Sequence, residues 1–181
     1  MKAVMLSIQP KWCELIASGE KTIEVRKTVP KLETPFKCYI YCTKGRHEML
    51  WRWAGEIYYD TQDPYHRPNK MSGKVIGEFE CDRIDEYNTN YLDGEDKLKT
   101  TTCLDDQQIM DYIDYLNRVF YAWHISDLKI YDTPKELGEF FRPCDGCDKL
   151  GTSRCTEEIS PCRAKTLTRP SQSWCYVEEI S

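Results

Sequence analysis

In the stretch FKCYIYCTKG, Cys38, Ile40 and Cys42 alternate with Tyr39 and Tyr41 before Gly45 ends the run. At a two-residue period both faces of such a strand carry apolar side chains, so both must be covered by other parts of the chain. That requirement demands a sheet packed on each side rather than an isolated hairpin or a bundle of helices. A chain of 181 residues, 40% of them hydrophobic and 12% aromatic, has the apolar mass to build it as one domain spanning 1–181. Wholesale disorder is excluded by the same composition.

Further elements follow from pattern. KAVMLSI reads as an opening strand, and PKWCELIASG as a short helix with Pro10 at its first position, Trp12, Leu15 and Ile16 on one face and Gly19 as its stop. GKVIGEFECDRI, WHISDLKIYD and QSWCYVEEI read as strands, the last one closing the sheet. A helix is expected from Asp106 to Ala122 on the apolar stripe Ile109, Ile113, Leu116 and Phe120, joined by Tyr112, as core rather than as a cofactor site. TPKELGEFF starts a second short helix with Thr133 as cap. Residues 51–72, aromatic without clean period and then rich in turn formers, read as a long excursion. The expected class is α+β, a mixed β-sheet or small barrel with a few flanking helices.

A net charge of −5 argues against general binding to duplex DNA, which needs many Lys and Arg contacts to phosphate. The charge is uneven, however: cations dominate from Lys2 to Arg46 and carboxylates from Asp85 to Asp114. A locally positive pocket on an acidic protein is the consequence. No apolar window approaches the roughly 20 residues that span a bilayer, and the N-terminus lacks a secretory pattern, so a cytoplasmic protein without membrane contact is expected.

SGEKTIEVRKTVPK sets polar chemistry on a strand. Thr22, Glu24 and Arg26 alternate with Ile23 and Val25, and Lys21 stands at the strand entrance. Either this is a solvated face on which Glu24 and Arg26 neutralise each other, or it is the floor of a polar site. Lys21 and Arg26 suit phosphate or a base carbonyl, Glu24 suits an amine or ribose hydroxyl, and Thr22 suits either. Ser7, Lys11 and Trp12 lie just across the first turn as candidate walls, and for Trp12 a place in the core competes with a stacking role.

Cys144, Cys147, Cys155 and Cys162 form a C-x2-C-x7-C-x6-C array inside a loop at about 143–163. Four thiolates with a tight first pair suit a tetrahedral zinc ion, closed to water and therefore structural. Reduced thiols, a redox pair at Cys144 and Cys147 and an iron–sulfur cluster are the alternatives. Cys13, Cys38, Cys42, Cys81, Cys103 and Cys175 are scattered, and the five of them in expected helices or strands read as small buried hydrophobes.

The G-x-K-T-x-x-x-R pattern of Gly19, Lys21, Thr22 and Arg26 resembles the ASCH domain, a PUA-like β-barrel family, with support from KVIGEFECDRI and RPSQSWCYVEE as in small bacterial and phage members. The resemblance covers most of the chain; residues 51–72 and the cysteine loop look like additions. It implies a barrel whose cleft, beside the glycine-lysine turn, receives RNA, a nucleotide or a modified nucleoside, contacted by Ser7, Lys11, Lys21, Thr22, Glu24, Arg26 and Glu78. One branch resembles amidohydrolases of 4-acetylcytidine that use a lysine, a threonine three residues later and a distant glutamate. Lys21 matches, Glu24 replaces the threonine, and Glu78 or Glu80 would be the distant acid, so Lys21, Glu24 and Glu78 are the catalytic candidates. A carboxylate beside Lys21 favours a fixed cation over a base. Other members resemble ribonucleases, for which His47, His66 and His124 offer no matching motif. A protein adaptor working through Trp51 and Trp53 is the reading from another class.

Overall fold

The computed structural model describes residues 1–61, 69–88, 96–113, 119–143 and 166–180. Its elements are β1 (Lys2–Ile8), α1 (Pro10–Ala17), β2 (Ile23–Arg26), β3 (Phe36–Cys42), β4 (Met49–Trp53), β5 (Glu56–Asp60), β6 (Val75–Asn88), α2 (Asp96–Thr102), α3 (Asp106–Tyr112), β7 (Val119–Lys135) and β8 (Trp174–Glu178). Strands β2-β7-β6-β3-β1-β8 make a six-stranded mixed sheet, and β4-β5 a separate pair.

β3 occupies the interior, as its two apolar faces require. It runs parallel to β1 from Val4↔Cys38 to Ile8↔Cys42 and antiparallel to β6. Cys38, Ile40 and Cys42 pack with Cys13 and Ile16 of α1 and with Trp123, whereas Tyr39 and Tyr41 pack on the other face with Phe140, Leu137 and Val177. A third cluster joins Ile23 and Val25 of β2 to Leu98 of α2 and Ile109 of α3. Burying these side chains contributes roughly 1.5–3 kcal/mol each before the cost of ordering them. Gly19 ends the α1 turn at φ +81°, in the left-handed region that favours glycine.

The structure corrects four expectations. The sheet is not closed into a barrel: among the described residues no backbone ladder joins β2 to β8. β2 stops after four residues, ahead of Pro30 and Pro35, which have no ladder donor, and side chains span the seam instead. Trp174 Nε1 donates to Thr28 Oγ1 at 3.0 Å, and the Lys31 N–H donates to the Tyr176 hydroxyl at 2.6 Å.

The excursion begins as a hairpin, its β4 and β5 joined by Ala54 and Gly55 at φ 51° and 90°. The long helix ends at Tyr112, because Ile113 is already extended (ψ 141°). Phe120 lies on β7, where it shares a buried face with Ala122 at strand period. Leu116 lies outside the described residues. TPKELGEFF holds no α-helix: β7 continues to Lys135, which pairs with Val75, and only a 3-10 turn at Leu137–Glu139 follows.

The zinc candidates Cys144, Cys147, Cys155 and Cys162 lie outside the described residues, as does most of the loop at 143–163. Among the described residues no cluster of three His, Cys, Asp or Glu could hold a metal, and no helix is long and apolar enough to cross a membrane. Cys13, Cys38, Cys42 and Cys81 are buried free thiols, and burial pushes Cys13 and Cys38 well above the usual thiol range and Cys81 up to about 12.

Candidate functional site

The open seam carries the polar site. β1 contributes Ser7, α1 contributes Trp12, and β2 contributes Lys21, just before its first residue, with Glu24 and Arg26. Lys21, Glu24 and Arg26 are only 2%, 6% and 6% exposed, which removes the solvated-face reading.

Charges taken so far from water must be matched, and these are. Glu24 stands between the two cations, with Oε2 3.4 Å from Lys21 Nζ and Oε1 3.1 Å from the Arg26 guanidinium. Lys21 also donates to the Thr102 carbonyl at 2.6 Å, and Arg26 donates to the Ser7 carbonyl at 3.0 Å. Lys21 thereby ties α2 to the sheet, while Arg26 stitches β2 to β1 across the gap that no ladder closes. Two buried polar atoms, Ser7 Oγ and Arg26 Nε, have no hydrogen-bond partner among the described residues.

Above this floor lies a cavity of about 490 Å³. Ser7, Gln9, Trp12 and Thr43 line one side, Leu104, Gln108, Asp111 and Tyr112 another, and Gln172 approaches from ahead of β8. The Trp12 ring centre is 5.5 Å from Lys21 Nζ, and the ring packs on the core cluster around α1 while also lining the cavity. The wall is thus aromatic and amide-rich, over cations already engaged by a carboxylate. That combination suits an uncharged ring edged with donors and acceptors better than a free phosphate.

Of the expected site residues, Ser7, Lys21, Glu24 and Arg26 converge here. Lys11 does not line the cavity; it is exposed, with Nζ 4.7 Å from the Trp12 ring centre. Thr22 is turned away and lines a separate depression with Arg83 and His124. β2 begins only at Ile23, so the two-residue alternation drawn through Thr22 does not extend that far. Glu78 stands apart from the cavity, with Lys37 Nζ at 3.8 Å and the Tyr131 hydroxyl at 2.5 Å, and Glu80 shares its strand face. Among the described residues, the carboxylates on the cavity wall are therefore Glu24 and Asp111.

Sequence reasoning missed the roof. Gln108 is held by a capping box, its amide oxygen accepting from the Asp105 N–H at 3.1 Å while Asp105 Oδ1 accepts from the Gln108 N–H at 2.7 Å. The Asp-x-x-Gln spacing was the available signal for that cap. Nothing local marks Gln9 or Gln172, which reach the cavity through the fold alone.

The model of the ASCH domain family matches residues 6–129. No curated protein matches the chain significantly. Two crystal structures of ZmASCH mutants from Zymomonas mobilis share its fold. A serine-to-alanine mutant has 17% identity and a TM-score of 0.58, over 98% of this chain and 89% of that one. A tyrosine-to-phenylalanine mutant has 20% identity and a TM-score of 0.53, over 76% and 77%.

Proposed function

The chain belongs to the ASCH domain family, which is associated with RNA binding, and from that premise we propose that it binds a nucleobase in the seam cavity, as part of RNA or as a modified nucleoside. The observation that carries this reading is the buried Lys21–Glu24–Arg26 set beneath a cavity walled by Trp12, Tyr112 and amide side chains. The ring of a base is apolar on its faces and polar at its edge, and this wall offers both kinds of contact. The unpartnered Arg26 Nε and Ser7 Oγ give such an edge a donor and a hydroxyl.

Deacylation of a base such as 4-acetylcytidine is the competing outcome. Lys21 Nζ is held between the Glu24 carboxylate and the Thr102 carbonyl, an ion-paired placement that supports a binding role over that of base or nucleophile. Binding without turnover is the reading the titration below tests. The test is titration of cytidine, 4-acetylcytidine and short RNA into the protein and its Lys21→Met variant, with products read by mass spectrometry. Affinity that depends on Lys21 without released acetate supports the reading; Lys21-dependent acetate makes the protein an amidohydrolase; no binding of any of the three removes the cavity as a base site. Structural zinc on Cys144, Cys147, Cys155 and Cys162 is part of the same proposal, resting on their spacing.

A further inference from the structure

A second cluster of charge lies on the opposite face of the sheet, away from α1 and the seam. On β3, Lys37 and Tyr39 point to the face that packs Phe140 and Val177. Directly paired residues of antiparallel strands share a face, and Tyr39↔Glu78 and Glu78↔Lys129 run across β3, β6 and β7. With Tyr131 and Lys135 from farther along β7 and Glu179 from beyond β8, they enclose an open depression of about 580 Å³.

Its carboxylates are already engaged. Lys37 Nζ is 3.2 Å from Glu179 and 3.8 Å from Glu78, and the Tyr131 hydroxyl donates to Glu78 at 2.5 Å. Lys129 and Lys135 are not so engaged: neither has an ion pair among the described residues, and Lys135 Nζ sits 5.3 Å from the Tyr131 ring centre. The described side chains lining it carry three cations against two anions, on a chain whose net charge is −5. The two lysines, without a carboxylate partner among the described residues, line the same depression.

The placement is built into the backbone. The β6–β7 register shifts on either side of Glu78, and a Cβ at Gly77 would lie 2.5 Å from the Lys129 carbonyl oxygen. Only glycine lets the strands approach so closely beside Lys129.

We propose that Lys129 and Lys135, backed by Lys37, form a phosphate-binding site on this face, contacting the backbone of an RNA whose base occupies the seam or taking a free phosphate anion. The RNA arm rests on the base-binding reading above; the free-anion arm does not. Each phosphate contact to a single strand steepens the dependence of log affinity on log salt by about 0.7, so losing two should flatten it by about 1.4.

The test compares the intact protein, Lys129→Ala/Lys135→Ala and a control Lys31→Ala/Lys70→Ala that removes equal charge elsewhere. Each is titrated with a single-stranded RNA oligonucleotide over a salt series and, separately, with inorganic pyrophosphate. The expected result is a slope flattened by about 1.4 and a weakening of about tenfold at low salt in the first variant alone. Pyrophosphate binding lost with Lys129 and Lys135, without RNA binding, assigns the site to free phosphate and overturns only the RNA arm. Unchanged RNA slope and pyrophosphate affinity in the first variant, or equal loss in the control, overturns the site. So does the absence of both ligands from the intact protein.

Discussion

Glu24 is the residue on which the seam site turns. Replacing it by Gln keeps its shape but strands two buried cations, and breaking a buried charge set in this way costs about 3–5 kcal/mol. Lys21→Met is milder, because Glu24 keeps Arg26 and the chief loss is the bond to the Thr102 carbonyl, worth about 1–3 kcal/mol. Urea unfolding should therefore rank Glu24→Gln as the less stable variant, and the reverse order would mean that the carboxylate is not the hub. Tyr112→Leu keeps apolar bulk on the cavity wall and removes an aromatic face; stacking is worth about 1–3 kcal/mol per base, so nucleoside affinity should fall by about tenfold or more in calorimetric titration.

Among the elements, the β4–β5 hairpin turns on Ala54 and Gly55, both at positive φ. Gly55→Ala has room for its Cβ but not the backbone freedom, and should lower stability by about 1 kcal/mol, read from the same urea curves. The cysteine loop has its own test. If its four thiolates hold zinc, elemental analysis of the purified protein should give one metal per chain, and Cys144→Ser should lower that occupancy. The termination of α3 explains a misreading of the sequence. Ile109, Ile113 and Phe120 are buried as the helical stripe demanded, but Phe120 meets the same cluster from a strand. A spacing of seven residues cannot tell two turns of helix from a helix and a return strand when both end on one core.

At the scale of the whole molecule, buried phenols make the fold sensitive to alkali. Desolvation raises Tyr39, Tyr41 and Tyr131 above the usual phenol range, and desolvation with the Glu48 bond pushes Tyr59 up to about 12. With folded pKa values above the unfolded value of about 10, the folded state holds more protons between them, so stability falls as pH rises through that window. The urea midpoint should decline between about pH 10 and pH 12, and Tyr59→Phe should make that decline shallower.

Periodicity and turn residues were enough to place α1, β3, β6 and β8, while β1 was placed as a short continuous apolar run of β-compatible residues, buried along nearly its whole length. They also identified Ser7, Lys21, Glu24 and Arg26 as one polar group, since β1, α1 and β2 are consecutive and the turns between them are short. Tertiary structure decided the rest. Whether the sheet closes depends on backbone pairing between segments far apart in the chain, which no local pattern encodes. Lys11 and Thr22 were separated from the cavity by the pitch of α1 and the late start of β2. Glu78 went to the other sheet face because its direction is set by pairing with Tyr39 and Lys129, residues 39 and 51 positions away (78 − 39 and 129 − 78). The local alternation of β2 put Glu24 and Arg26 on one polar face, and long-range pairing decided which other groups meet them at the seam.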